Sequence, residues 1–300
     1  MVKINFLKHK AIFFAISTVF ILGAIILLLV FGLRPGIDFT GGTIMEIGFE
    51  GKTPSNQEVR KSLEDLNLGE IYIQPAGENG LILRLKDITE KTHQEILSGL
   101  RENYQVKEKR FESIGPVVGK ELREKTLLFV VLALLAILIY IAFSFRKIKR
   151  PLTSWFYGFT SILALCHDVL IPLGAFAVLG KFLGVQITIP IVVALLTVVG
   201  YSINNTVVVF DRVRENLLKG RGESFEETVN ISLNQTLARC INTSLTTLFP
   251  LIMIFLLGGE SLRYFSLALI LGIVAGTYSS LFLAGPLLVG WYKLLLKKRP

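Results

Sequence analysis

The sequence predicts an α-helical polytopic membrane protein, with six transmembrane helices and one ferredoxin-like α+β domain held outside the cytoplasm. Three observations carry this prediction. Apolar residues make up 52% of the 300 and charged residues only 18%, against about 25% charged in ordinary globular proteins. With a mean hydropathy of +0.59, a soluble fold has too few charges to cover its apolar surface. Six apolar stretches reach the roughly 20 residues that cross a bilayer, and a polar insert between the first two changes period in the order β-α-β-β-α-β.

The stretches run over Ala11–Leu33, Thr126–Phe145, Trp155–Leu179, Ile187–Phe210, Leu237–Leu257 and Phe265–Tyr292. The first has Lys3, Lys8 and Lys10 ahead of it, as a signal peptide would. It is too long for one and has no small-x-small site before Arg34, so it reads as a retained anchor. Basic residues then set the orientation. Lys3, Lys8 and Lys10 precede span one, and Arg146, Lys147, Lys149 and Arg150 follow span two. Arg212, Arg214, Lys219 and Arg221 follow span four, and Lys293, Lys297, Lys298 and Arg299 form the tail. The two opposite short loops hold only Lys181 and Arg263. Fifteen against two places both termini in the cytoplasm. The expected organisation is a cytoplasmic N-terminus and first span over 1–34, an extracytoplasmic domain over 35–124, the other five spans over 125–292, and a basic cytoplasmic tail over 293–300.

Within the insert, Thr43–Phe49 reads as a strand. Thr53-Pro54-Ser55 opens a helical pattern through Val59, Leu63 and Leu66, with Pro54 suited to a helix start. Glu70–Gln74 and Leu81–Leu85 read as strands joined around Gly77–Gly80, Thr89–Asn103 as a helix with Ile96, Leu97 and Leu100 on one face, and Val106–Ile114 as a closing strand. Residues 35–124 carry 12 Lys/Arg and 16 Asp/Glu, so the overall +9 sits beside the spans. There it is a topology signal, with no basic stripe interleaved with aromatics as nucleic-acid binding needs.

Site chemistry is sparse. Gly115-Pro-Val-Val-Gly119-Lys120-Glu121 is one residue short of a phosphate loop and has an acid where the hydroxyl belongs. No Gly-x-Ser-x-Gly occurs. Cys166 and Cys240 fall inside apolar spans and are expected to be reduced, buried and structural. Three histidines, 74 residues or more apart, form no local metal cluster. Neither metal nor cofactor is expected.

Polar groups inside spans are more informative. His167-Asp168 lies near the middle of span three. A charge at that depth costs about 2.5–3.5 kcal/mol, so the pair is either a structural hydrogen-bonding element or a proton-handling group. Span four ends in Gly200-Tyr-Ser-Ile-Asn-Asn-Thr, where the amides Asn204 and Asn205 call for partners on other helices. Asp211 and Arg212 follow at what reads as a solvated helix end. In span five, Arg239, Thr243, Thr246 and Thr247 share one helix face. That face is a stripe looking inward at the other polar spans, unless Arg239 snorkels to the interface. Gly36-Ile-Asp38-Phe-Thr-Gly41-Gly42 reads locally as a tight exit turn from the membrane.

GIDFTGGT (36–43), FESIGPVVGKEL (111–122), ALCHDV (164–169), GYSINNTVVVFDRVREN (200–216) and QTLARCINTS (235–244) together resemble the SecD/SecF family of bacterial protein export, within the resistance-nodulation-division superfamily. The likeness runs over nearly the whole chain. It implies an accessory membrane subunit that pairs with SecD and associates with the SecY-E-G channel. Such a subunit sits in the lipid of the cytoplasmic (inner) membrane and draws a translocating preprotein outward using a proton or sodium gradient. The family's relay residues fall on position 205 and Arg239, with Asp168 a further ion-relay candidate. Tyr201, Asn204, His167 and Thr243 are supporting polar groups, and Asp38, Gly41 and Gly42 form a structural motif. Position 205 departs from the family, which has an aspartate there. Asn205 can neither release a proton nor carry negative charge. A small-molecule efflux subunit of the same superfamily is the rival reading.

Overall fold

The computed structural model describes residues 4–51, 53–77, 79–146 and 151–297. Lys3, Lys147, Lys149, Arg150, Lys298 and Arg299 of the charge pattern, and Glu78 in the insert, lie outside the described residues. The elements in chain order are α1 (Lys10–Phe31), α2 (Ile37–Thr40), β1 (Gly42–Phe49), α3 (Asn56–Ser62), β2 (Tyr72–Pro75), β3 (Gly80–Leu85), α4 (Glu90–Arg101) and β4 (Val106–Ile114). They continue with α5 (Pro116–Ser144), α6 (Ser154–Leu183), α7 (Ile189–Leu218), α8 (Phe225–Leu257), α9 (Glu260–Ser279) and α10 (Gly285–Lys297). Two compact units result, one of Pro35–Phe129 and one of Met1–Arg34 with Val130–Pro300.

Pro35–Phe129 carries a four-stranded sheet in the order β2-β3-β1-β4, antiparallel throughout. This is the ferredoxin-like arrangement the sequence predicts. Met45, Ile47 and Leu83 point from one sheet face into a core closed by Val59 of α3 and Ile96 and Leu100 of α4. α3 starts two residues after Pro54, because Ser55 caps it. The Ser55 hydroxyl accepts from the Glu58 amide, and the Glu58 carboxylate accepts from the Ser55 amide at 2.7 Å. The exit segment is more than the expected turn. Residues 37–40 form a short helix that lays Ile37 against Ile44, Ala76, Ile82 and Ile114 on the sheet's second face. β1 is therefore buried on both sides, which is why its residues do not alternate apolar with polar.

Six helices are long and apolar enough to span a membrane, counting α9 and α10 with their connection as one. α6, α7 and the α9–α10 pair are the inner helices, while α1, α5 and α8 turn most of their apolar surface outward. Besides α5, which starts ten residues before Thr126, two helices outrun their apolar stretches. α7 continues beyond Phe210 and α8 begins twelve residues before Leu237, because these extensions are amphipathic and bury Val213 and Asn216 against Val229, Ser232 and Leu233. Asp211 and Arg212 are thus not a helix end. Asp211 pairs with Arg214 and Arg212 with Glu215, both within α7. The sixth span is not uniform either, since a π-helical turn, Ser280–Ala284, separates α9 from α10.

The segment ahead of α1 is tied to the start of α8. Amides of Ile4 and Phe6 donate to the side-chain carbonyls of Asn234 and Asn230, each at 2.9 Å. Asn234 returns a hydrogen bond to the Ile4 carbonyl at 2.8 Å, and the buried Phe6 ring packs against Phe282.

Candidate functional site

Three polar groupings stand in the helical bundle. The most enclosed surrounds Asp168, which is 0% exposed with His167 at 1%. Three elements meet there. His167 Nδ1 lies 2.9 Å from Asp168 Oδ1. Ser279 of α9 donates to Oδ2 at 2.8 Å, and Ser202 of α7 donates to the same oxygen. Tyr278 stacks on the His167 ring with centroids 5.9 Å apart, and its hydroxyl donates to the Phe13 carbonyl of α1 at 2.9 Å. α7 and α9 come this close because Gly272 and Gly276 face Val198 and Ser202, where a Cβ would approach to 2.3 and 2.9 Å.

Asn205 follows Ser202 by one turn and is 3% exposed. Its amide and the Tyr201 hydroxyl each lie 3.4 Å from Ser244 Oγ of α8, which in turn meets Thr277 Oγ1 of α9 at 2.5 Å. These are contacts of neutral groups. Asp168 is the acid on the inner helices that the structure encloses.

Asn204 and Arg239 lie elsewhere. Both are exposed, and the Arg239 guanidinium makes no ion pair among the described residues. Arg239 instead lines an open groove of about 410 Å³ between α7 and α8, with Val208, Asp211, Arg212, Gln235 and Thr236. Thr243 is half-buried and bonds back to the Arg239 carbonyl at 2.8 Å. The stripe read as facing inward therefore lies on the outer face of α8 in this chain. The 3.6-residue period fixed which residues share a face, not which way the face points. Asn205 and Arg239 are not brought into contact. Cys166 is exposed, against the expectation that both cysteines are buried.

Gly41 and Gly42 form a joint within the inserted unit. Their φ angles are +72° and +130°. A Cβ at Gly41 would lie 2.7 Å from Pro116 Cα, and one at Gly119 2.6 Å from the Gly41 nitrogen. GIDFTGGT and GPVVG thus close on one another, with Asp38 in the first turn of α2. His93, also in this unit, is a packing group. It stacks on Phe111 and bonds Glu90 and Glu108, and hydrogen bonds from Gln94 and His93 hold the Glu90 carboxyl below the usual carboxylate range.

Sequence reasoning missed Ser202, Ser244, Thr277, Tyr278 and Ser279. Serine and threonine in apolar helices commonly bond back to their own carbonyls. The one available signal was that Ser202 belongs to the polar run of span four.

The description "Protein export membrane protein SecD/SecF, C-terminal" matches residues 94–294, and "SecD/SecF GG Motif" matches 26–52, which takes in Gly41 and Gly42. The protein translocase subunit SecF of Thermobaculum terrenum is 44% identical over 96% of this chain and 94% of its own length, and that of Anaerolinea thermophila 40% identical over the same shares. Among solved structures, SecDF of Thermus thermophilus, a translocon-associated membrane protein, matches 97% of this chain at 34% identity with a TM-score of 0.85. SecDF in a super-membrane-facing form matches 99% at 33% identity with a TM-score of 0.71. This chain spans 39% and 40% of those SecDF chains. By sequence over nearly its full length and by fold, the chain belongs to the SecD/SecF family of protein export membrane proteins.

Proposed function

We propose that this accessory subunit of Sec protein export works as one half of a complex with SecD, beside the SecY-E-G channel, drawing preproteins outward with the ion gradient. The observation that carries the pairing is the outer polar face of α7 and α8. Asn204, Arg239 and Thr246 stand exposed on spans whose other outward residues include Leu245, Phe249 and Met253. The Thr246 hydroxyl donates to the Thr243 carbonyl, but hydrocarbon offers nothing to Asn204 and Arg239, so a second bundle with its own polar face fits there. The 39% share of SecDF that this chain spans supports the same reading.

In this arrangement both termini are cytoplasmic and the ferredoxin-like domain contacts the emerging preprotein outside. Arg239, exposed on that face, meets the SecD relay across the interface, whereas position 205 lies inside this chain's own bundle beside Ser244. The subunit acts by moving a polypeptide, with no bond-breaking step and no cofactor. A small-molecule efflux role is not favoured, since the relatives are named as translocase subunits.

The test is co-expression with SecD, purification, and preprotein translocation into vesicles with and without a proton gradient. A defined complex that raises gradient-dependent translocation is expected. A monodisperse chain active in SecD-free membranes overturns the reading.

A further inference from the structure

We infer that His167 and Asp168, with Ser202 and Ser279, form a proton-binding site built wholly within this chain and separate from positions 205 and 239. The inference rests on the export reading above for its role, though not for its chemistry.

Asp168 is enclosed on every side, yet its carboxylate is fully served by donors. His167 Nδ1 meets one oxygen at 2.9 Å and the hydroxyls of Ser279 and Ser202 meet the other. His167 is not served in the same way. Its Nε2 is buried and has no hydrogen-bonding partner among the described residues, and an unmet buried nitrogen costs about 1–3 kcal/mol. With Nδ1–H turned to the carboxylate, Nε2 carries a bare lone pair, the place where a proton enters.

The step balances. A proton binds Nε2 as the Nδ1–H bond breaks toward Asp168 Oδ1, forming a carboxyl O–H that donates back to Nδ1. His167 ends neutral with its proton on Nε2, Asp168 ends neutral, and the net change is one proton gained. A hard metal cation such as calcium or magnesium asks for about six oxygen ligands, whereas three oxygen-bearing side chains converge here.

The surroundings suit a conformational readout. Ser279 has an alternative acceptor in its own helix, the Gly276 carbonyl at 3.2 Å, and it ends α9 directly before the π-turn Ser280–Ala284. π-Turns recur at functional positions in helices. Pro172, inside α6, has no N–H to give the Asp168 carbonyl. Two of the three helices that hold the site, α6 and α9, are therefore irregular beside it. Of the packed elements, α9 faces the pair with Tyr278 and Ser279 and α7 with Ser202. α1 reaches Tyr278 through Phe13 and Ser17, and Cys166 is the nearest other titratable group on α6. No lysine or arginine among the described residues pairs with Asp168.

The test uses the full chain reconstituted with SecD, read by infrared difference spectroscopy across a pH titration and by gradient-driven translocation. A protonated-carboxyl band that grows on acidification and vanishes in Asp168→Asn is expected. Asp168→Asn should still co-purify with SecD but translocate no faster with the gradient than without it. His167→Gln, which can donate to Asp168 but cannot take up a proton, should lose the same stimulation, and it decides the matter if Asp168→Asn fails to assemble. A band unchanged in Asp168→Asn, or full stimulation in both variants, overturns the site. A band that responds to sodium at fixed pH overturns it in favour of a metal cation. If the unaltered chain shows the band yet neither binds SecD nor supports translocation, the export reading fails and the proton site stands.

Discussion

Replacing Gly41 by alanine tests whether the joint between GIDFTGGT and GPVVG is a packed contact or merely a flexible exit. The backbone at Gly41 has φ +72° and ψ +167°, a region in which a side chain costs about 1–3 kcal/mol. The new methyl would also lie 2.7 Å from Pro116 Cα, 2.9 Å from its nitrogen and 3.1 Å from the Ile114 carbonyl. All three are backbone atoms that cannot rotate aside, and overpacking of this kind adds about 1–3 kcal/mol. Gly77 supplies the control, with φ +64° but nothing within 4 Å of a Cβ, so Gly77→Ala bears backbone strain alone. The difference between the variants isolates the packing contribution, about 1–3 kcal/mol or roughly 5- to 150-fold in an opening equilibrium. Hydrogen exchange of the β1 and β4 amides in the full chain reads it directly, because Gly42 pairs with Ile114 beside the joint. Gly41→Ala should speed that exchange beyond Gly77→Ala by this factor. Equal exchange in the two variants refutes the packed joint and returns the motif to a plain exit turn.

Three further outcomes are expected. Asn205→Asp should increase gradient-dependent export, and Arg239→Ala should abolish the gain; equal activity of the unchanged chain and Asn205→Asp removes position 205 from any relay. With Cys166 and Cys240 replaced, a cysteine at Glu102 should react with an impermeant thiol reagent outside intact cells while one at Lys219 should not, and reversed labelling overturns the orientation. Asn234→Ala removes two hydrogen bonds to the N-terminal segment, each worth about 1 kcal/mol, so protease cutting near Ile4 should accelerate while the α9 core stays protected; uniform acceleration everywhere would mean a global rather than local role.

The large features were legible because each rests on a repeated signal. Six apolar runs and a 2-to-3.6 change of period leave little freedom in the fold class. Residues such as Ile96, Leu97 and Leu100 could be placed in a core from spacing alone. What escaped depends on contacts between residues far apart in the chain. The helical extensions at 211–218 and 225–236 are polar enough to resemble loops until Asn216 donates to Ser232 and Gln235. α2 forms where Ile37 finds the open sheet face. The π-turn has no composition of its own. His167 and Asp168 were visible as costly groups, but their partners Ser202 and Ser279 look like any other small polar residue. Conversely, Arg239 drew attention through the family resemblance, yet it makes no ion pair among the described residues.

The N-terminal tie has a consequence for how the protein is made. The asparagines that hold Ile4 and Phe6 leave the ribosome 230 and 224 residues after them. At synthesis rates of about 5–20 residues per second, the first span waits roughly 10–45 seconds before its leading residues find their place. Until then α1, few of whose side chains are buried even in the finished bundle, is held by its hydrophobicity and by α6, which emerges earlier and brings Gly174 against Ala24. Docking of the segment ahead of α1 is therefore among the later events of assembly, since it waits for the start of α8.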